Sequence, residues 1–204
     1  GIIAAVAGMT ELWLVRHGQT NWNLEKRYQG HSDIPLNETG IEQASLLGHS
    51  IGQEDFAAVY SSDLKRARLT AEILAASLHL PVQTDARLRE FYHGRWEGRL
   101  VTDVRAEFSE QSDEEFKLTR LRPPEGERIF DLAERFQAAI NEIALAHPEK
   151  KVLVVSHGLA IATLVCVKKG LPLSEVYTQI PRNARELILP WQAGDFLQGF
   201  ERIN

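Results

Sequence analysis

The sequence predicts an α/β sandwich of three layers, in which helices cover both sides of a mostly parallel central sheet. Short β-rich runs alternate with longer stretches of helical periodicity. Lys151–Ser156 is an almost continuous apolar run, as is typical of a strand buried on both faces. The 204 residues are 44% hydrophobic, which suffices for a substantial core. We expect one domain over residues 9–204.

The first half of the chain supplies alternating strands and helices. Asparagine and aspartate commonly cap helices, because their side chains accept the free amide hydrogens of the first turn. The expected elements are, in order, a strand at Glu11–Arg16, a polar loop to Leu36, a helix capped by Asn37 and ending near Ser50, a strand at Ala57–Ser62, a helix capped by Asp63 and a short strand at Pro81–Thr84.

The second half begins with a less regular region and then resumes the alternation. The expected elements are turns at Gly94 and Gly98 within Leu88–Gly98, a short helix at Val101–Phe108, an exposed excursion at Ser109–Pro124, a long helix at Glu127–His147, the strand Lys151–Ser156, a helix from His157 to about Lys169, and late strands at Arg185–Leu189 and Phe196–Phe200. An antiparallel orientation is open for the last two strands.

Composition excludes several classes of function. The net charge of −5 gives no general attraction to nucleic acid or anionic membranes. Cys166 is the single cysteine, so no intramolecular disulfide can form, and we expect a cytoplasmic protein. No apolar stretch is long enough to span a bilayer. We expect Met9 to be the natural start, with residues 1–8 an added segment or a short arm.

Three polar motifs follow predicted strands: Arg16–Gly18, Ser61–Asp63 and Ser156–Gly158. Ligand sites of open α/β sheets lie at the carboxyl ends of the strands, so these motifs should meet on one rim. Two of them place a histidine before a glycine. Arg16 and Arg66 add cations near that rim, and guanidinium groups match phosphate oxygens. The pattern predicts a local phosphate pocket, although each residue alone could be structural.

Metal and nucleotide sites are not indicated. The sequence has no HExxH motif, no cysteine cluster and neither glycine-rich nucleotide signature. We therefore expect no metal and no cofactor.

Five ordered segments resemble the histidine phosphatase superfamily, also called the phosphoglycerate mutase-like family. They are LVRHGQTNWN (Leu14–Asn23), YSSDLKRARLTAEI (Tyr60–Ile73), LREFYHGRWEG (Leu88–Gly98), PPEGE (Pro123–Glu127) and VVSHGLAI (Val154–Ile161). The resemblance spans most of the chain and implies the phosphoglycerate mutase-like fold and metal-independent phosphoryl transfer.

The resemblance also implies residue roles. His17 would attack phosphorus and form a phosphohistidine. Glu90 would protonate the leaving alkoxide and then activate water, although Glu90 could instead pair with Arg87 or Arg89. The residues expected to bind the phosphoryl group or other substrate atoms are Arg16, Asn23, Gln29, Gly30, Arg66, His157 and Gly158, of which Arg16, Arg66 and His157 would also stabilise the transition state. The other histidines are expected to be incidental, except that His93, close to Glu90, could tune the acid or touch substrate; an exposed position in the loop is the expectation for it.

We expect a phosphomonoesterase acting on a small phosphorylated metabolite. The alternatives are a phosphoglycerate mutase dependent on 2,3-bisphosphoglycerate and a non-catalytic phosphoester-binding module. Mutases of the family usually carry a longer middle region, whereas the WEG segment here resembles the phosphatase branch. Whether the chain forms a homodimer stays open.

Substrate identity is not fixed by the sequence. The pocket walls are expected from Arg27–Leu36, Phe91–Leu100 and Ser109–Pro124. Aromatic surface and cations for a second anionic group are expected there, from Trp22, Tyr28, Phe91, Trp96, Arg27, Arg95 and Arg99.

Overall fold

The fold was analysed in a computed structural model that describes residues 8–193. Its strands and longer helices are, in chain order, β1 (Thr10–Arg16), α1 (Asn21–Glu25), α2 (Glu38–Ile51), β2 (Phe56–Ser61), α3 (Lys65–Leu78), β3 (Val82–Thr84), α4 (Val101–Glu107), α5 (Asp113–Thr119), α6 (Ile129–Ala146), β4 (Lys151–Ser156), α7 (Gly158–Lys169) and β5 (Glu186–Trp191). Short 3₁₀ turns lie at Ala86–Leu88, Gly94–Trp96 and Leu173–Thr178.

The five strands form one sheet in the order β3-β2-β4-β1-β5. The first four are parallel, and β5 pairs antiparallel with β1. The carboxyl ends of β1, β2 and β4 therefore share one rim. This confirms the predicted α/β sandwich and brings together the three polar motifs that follow these strands.

Alternation along β1 divides the core into two layers. Leu12 and Leu14 pack into a cluster with α6 and α7, whereas Trp13 and Val15 pack into a second cluster with α2 and α3. The middle of β4 contributes to both clusters, so its residues Val152–Ser156 are all buried, as the apolar run predicted.

Most predicted element positions agree with the structure within two residues, but three expectations need correction. Asp63 does not cap α3; Leu64 occupies that position without a side-chain bond, and the Asp63 carboxylate instead pairs with Arg89 at 2.7 Å. The loop before Leu36 contains the short helix α1. The predicted strand Phe196–Phe200 is not one of these corrections, because it lies outside the described residues.

The excursion after α4 is the third correction, because it is not simply exposed. It contains α5, whose Phe116 is buried with Trp96 in a small third cluster that also includes Tyr28 and Val104. Leu121 is buried against the main core. The excursion therefore folds back onto the protein and contributes to its core. None of the helices in residues 8–193 is long and apolar enough to cross a membrane.

Candidate active site

His17 lies at the end of β1 and is almost fully buried, with an exposed fraction of 2%. Its Nδ1 is 2.6 Å from the carbonyl oxygen of Gly18. A carbonyl oxygen only accepts hydrogen bonds, so we assign the ring proton to Nδ1. Nε2 then carries a free lone pair, which is the state that a nucleophilic histidine needs.

His157 faces His17 across the rim, with ring centroids 5.1 Å apart. Its Nε2 is 2.8 Å from Ser62 Oγ, and that oxygen also accepts the amide hydrogen of Leu64 at 3.3 Å. We assign the Ser62 hydroxyl as the donor to Nε2, and with this assignment the His157 proton lies on Nδ1. This Nδ1 is buried and has no protein partner, so it can donate to a ligand.

Two arginines complete the cationic wall. Arg16 donates through Nη1 to the Pro181 carbonyl at 3.0 Å. Arg66 donates through Nη1 and Nη2 to the carbonyl oxygens of Ser32 and Gly30, at 2.6 and 2.7 Å. The Nε of each arginine is buried without a partner. Buried donors are rarely left unpaired, so these two atoms are available to hydrogen-bond an anionic ligand.

The site keeps its histidines neutral and its arginines charged. Burial lowers the pKa of both His17 and His157 well below the ordinary 6.5, and the charge of Arg66 lowers them further. Burial also lowers the pKa of Arg66, to about 10, so this side chain remains cationic at neutral pH. Burial lowers the pKa of Arg16, opposed by the nearby charge of Glu90.

Asn23 lies in α1 and is joined to His17 through Asn183. Its Oδ1 accepts the Thr20 amide hydrogen at 3.0 Å in a capping box that holds the start of α1. With Oδ1 engaged, the Asn23 amide nitrogen is available as a donor. Asn183 also contacts Asn23 Oδ1, at 3.5 Å, and donates to the His17 carbonyl at 2.9 Å. We call Arg16, His17, Asn23, Arg66 and His157 the phosphate cradle.

Three further predicted site residues border the phosphate cradle. Gln29 accepts the Thr20 hydroxyl at 2.7 Å. Gly30 has a φ of +54°, which favours glycine, and its carbonyl holds Arg66. A Cβ on Gly158 would lie 2.8 Å from Ile180 and 3.3 Å from Arg16 Nε, so glycine lets the start of α7 approach Arg16.

Glu90 places its carboxylate at the amino end of α7. It accepts amide hydrogens from Phe91 at 2.8 Å and from Leu159 and Ala160 at 3.0 Å each. Arg87 and Arg89 do not compete for it, because they pair with Asp85 and Asp63. Glu90 is therefore not part of a surface ion pair with its neighbours.

The backbone beneath Glu90 is held by two residues that the sequence did not single out for this role. Arg135 in α6 donates to the carbonyls of Arg89 and Glu90 at 2.7 Å each and pairs with Glu127, also at 2.7 Å. His31, expected to be incidental, contacts the Glu90 carbonyl through Nε2 at 2.8 Å. The expectation that His93 is exposed was wrong, because its ring is packed against Tyr28 and Phe91 and is only 4% exposed.

Sequence reasoning also missed the groups that orient the phosphate cradle, namely Thr20, Ser62 and Asn183. The position of Ser62 at the end of a predicted strand indicated that its side chain lies near the site. This position does not show which atom the hydroxyl will hydrogen-bond. Asn183 reaches the cradle because β5 lies beside β1, and residue spacing did not indicate that contact. Within residues 8–193, no group of three or more His, Cys, Asp or Glu side chains could hold a metal ion.

The fold and site together define an α/β protein whose sheet rim carries two buried histidines and two arginines with buried Nε atoms. The chain matches the model of the histidine phosphatase superfamily (branch 1) over residues 12–198, so it belongs to this superfamily.

Relatives and solved structures agree with this assignment. A "probable phosphoglycerate mutase GpmB" of Yersinia pestis (strain Pestoides F) is 38% identical over 165 residues, which is 80% of this chain and 77% of that protein. The structure of Bacillus stearothermophilus YhfR superposes with a TM-score of 0.81 at 35% identity, covering 94% of this chain and 96% of that one. A mycobacterial glucosyl-3-phosphoglycerate phosphatase has a TM-score of 0.80 at 30% identity, covering 92% and 93%.

Proposed function

We propose that the protein is a phosphomonoesterase that acts on a small phosphorylated metabolite through a phosphohistidine at His17. The observation that carries the proposal is the free lone pair on His17 Nε2, next to donors of Arg16, Arg66 and His157 that have no protein partner. A phosphoryl group fits such a site, because its three equatorial oxygens accept these donors while its phosphorus meets the nucleophile.

The reaction would proceed in two balanced steps. In the first, Nε2 of His17 attacks phosphorus and the bond to the leaving oxygen breaks, while Glu90 in its acid form gives that oxygen a proton. In the second, Glu90 takes a proton from water as the water oxygen attacks phosphorus, and the bond between phosphorus and His17 Nε2 breaks, which returns the electron pair to the imidazole. The products are the free alcohol and inorganic phosphate, and His17 returns to its starting state.

A phosphoglycerate mutase is the second candidate, favoured by the name of the Yersinia relative. In that reaction a hydroxyl of the acceptor, rather than water, would take the phosphoryl group from His17. The solved neighbours favour hydrolysis instead, because several of them are named as phosphatases.

The test is phosphate release from a panel of phosphomonoesters, with isomerisation of 3-phosphoglycerate followed in parallel, with and without 2,3-bisphosphoglycerate. We expect phosphate release that survives excess chelator and no efficient isomerisation. Efficient bisphosphate-dependent isomerisation with little release would make the protein a mutase. Binding of esters with no turnover of either kind would favour the non-catalytic module.

A further inference from the structure

The PPEGE motif (Pro123–Glu127) is one of the five segments that resemble the superfamily, and no step of the proposed reaction uses it. In the structure this motif is bonded to the chain just after Glu90. The Tyr92 carbonyl accepts the Glu127 amide hydrogen at 2.9 Å, and the Glu127 carboxylate accepts the Tyr92 amide hydrogen at 3.1 Å. The motif therefore lies beside the proposed acid and can influence it.

Arg135 in α6 connects the motif to Glu90 and uses all five N–H groups of its guanidinium to do so. Two of them donate to the Glu127 carboxylate, from Nε at 2.7 Å and from Nη2 at 2.9 Å. The other three donate to the carbonyl oxygens of Arg87, Arg89 and Glu90, at 2.9, 2.7 and 2.7 Å. A guanidinium has five N–H donors in all, so Arg135 acts on the protein around Glu90 and not on a substrate.

Two of these carbonyl groups belong to the peptide units on either side of the Glu90 α-carbon. The Arg89 carbonyl is in the peptide unit before it, and the Glu90 carbonyl is in the unit after it. Peptide units are planar, so holding both on one guanidinium fixes the φ and ψ angles of Glu90 and thereby the direction of its side chain. That direction leads to the first turn of α7, where the carboxylate accepts the amide hydrogens of Leu159 and Ala160.

Glu127 allows Arg135 to hold this backbone without adding a net charge beside the acid. The two side chains form a bidentate ion pair and are only 15% and 20% exposed, respectively. A cation without a counter-ion would oppose the acid form of Glu90 that the first reaction step requires, because a nearby positive charge favours the carboxylate. The pair thus supplies a rigid set of donors that is close to neutral as a whole.

We propose that Arg135, with Glu127 of the PPEGE motif as its counter-ion, positions Glu90 for proton transfer to the leaving oxygen. Arg135 is a positioning residue, since it affects the reaction only through Glu90. The proposal rests on the proposed function, in which Glu90 is the acid and then the base. The competing explanation is that the ion pair only stabilises the fold, in which case its loss would slow all esters alike.

The dependence of the rate on the leaving group distinguishes these explanations. A badly placed acid should impair only reactions that need its proton, so we expect Arg135→Met to lower kcat for alkyl phosphates about tenfold or more, and for activated aryl phosphates less than about threefold. Arg135→Lys should recover little of the loss, because an ammonium group cannot reach the three carbonyls and Glu127 together. Glu127→Gln changes the shape little and should act in the same direction more weakly.

Combining two substitutions tests whether Arg135 acts through Glu90. In a Glu90→Gln background, Arg135→Met should change kcat for alkyl phosphates less than about twofold, because no acid is left to position. Arg128→Met is the matched control, since Arg128 is an exposed arginine at the start of the same helix and pairs with Asp131. It should leave the ratio of alkyl to aryl rates unchanged. Equal slowing of both classes by Arg135→Met, or an undiminished loss in the Glu90→Gln background, would overturn the proposal.

Amide hydrogen exchange tests the positioning without turnover. First-turn amides have no partner within their own helix, so protection of the Leu159 and Ala160 amide hydrogens depends on the Glu90 carboxylate. NMR of the full-length protein should show exchange faster by about tenfold or more at these two amides in Arg135→Met, as in Glu90→Ala, with the interior of α7 unchanged.

The exchange result separates this proposal from the proposed function. Faster exchange confined to the Leu159 and Ala160 amides supports the positioning of Glu90 even if the wild-type protein hydrolyses no ester. Unchanged exchange at these amides, or faster exchange throughout α7, would overturn the positioning role and leave the proposed function to its own test.

Discussion

The phosphate cradle and the excursion at Ser109–Pro124 are built from different kinds of structure. The cradle stands on the carboxyl ends of β1 and β4 and the first turns of α1, α3 and α7, and most of its side chains are fixed by hydrogen bonds to the backbone or to Ser62. The excursion carries Arg120, whose guanidinium lies 3.4 Å from the centre of the Tyr177 ring in the turn before β5.

We expect this difference in structure to go with a difference in role, with the cradle binding the phosphoryl group and the excursion selecting the leaving alcohol. A rigid rim can hold the phosphoryl group in the same geometry for every substrate, because the sheet fixes the distances between its strands. The excursion can change residues without disturbing the sheet, so it is the natural place for selectivity toward the leaving alcohol. Substitutions in the cradle should therefore slow all esters alike, whereas substitutions in the excursion should slow some esters more than others.

Arg66→Lys should produce a large loss of kcat/KM for every ester, about 10²- to 10³-fold, although it keeps the charge. Lysine cannot donate to Ser32, Gly30 and a phosphoryl oxygen in the planar arrangement of a guanidinium. The measurement is steady-state hydrolysis of several esters, with Arg68→Lys as the control on the exposed side of the same helix. A loss of kcat/KM confined to one ester would contradict the expectation that the cradle acts on all substrates alike.

Glu90→Gln should slow alkyl phosphates about 10²-fold, and activated aryl phosphates less than about tenfold, because an aryl leaving group needs little protonation. The rates are compared across leaving groups of graded basicity. Glu110→Gln replaces an exposed carboxylate and serves as the control. Equal slowing across the series would count against an acid role for Glu90.

Ser62→Ala should lower kcat about tenfold for every ester, because His157 loses the hydrogen bond that directs its Nδ1 proton toward the ligand. Ser61→Ala is the matched control, since the adjacent buried hydroxyl donates to a backbone carbonyl instead. If both variants behaved alike, the tautomer assigned to His157 would lose its support.

Stability should fall as the solution becomes acidic. The pKa of His93 is lowered to about 3, and those of His17 and His157 are lowered well below 6.5, in each case mainly by burial. Below about pH 6.5 the unfolded chain therefore binds more protons than the folded one, so the free energy of unfolding decreases by about 1.4 kcal/mol per pH unit for each such histidine. Above that pH the contribution is fully present.

Urea denaturation across this pH range measures the slope. His93→Gln should flatten the slope by about one proton, whereas replacement of the exposed His49 should not. An unchanged slope in His93→Gln would show that this ring is not held neutral in the folded protein.

The strand rim was predictable from sequence because it depends on short-range patterns. Apolar runs such as Lys151–Ser156 fix the strands, and parallel pairing then brings His17 and His157 to one edge. The periodic helices were likewise confirmed. Asp63 was wrongly assigned as a cap, because a local preference cannot anticipate a competing partner such as Arg89, which is distant in sequence.

The contacts of the excursion could be predicted only in part from the sequence. The excursion was expected to supply a pocket wall, but its composition did not reveal that Phe116 would be buried against Trp96 and so direct Arg120 toward Tyr177. Arg27 pairs with Glu25 and Arg99 with Glu107; contact of these two arginines with a second anionic group stays a prediction. Such choices between partners depend on tertiary contacts.

The most direct test of the central claim is to trap the covalent intermediate. Rapid quenching of turnover with a ³²P-labelled phosphomonoester should yield acid-labile, base-stable label on the wild-type protein, located at His17 by peptide mapping. The His17→Ala protein should carry no label and should lose at least about 10⁴-fold in activity. Rapid turnover without label on the wild type, or label and activity retained in His17→Ala, would contradict the phosphohistidine mechanism.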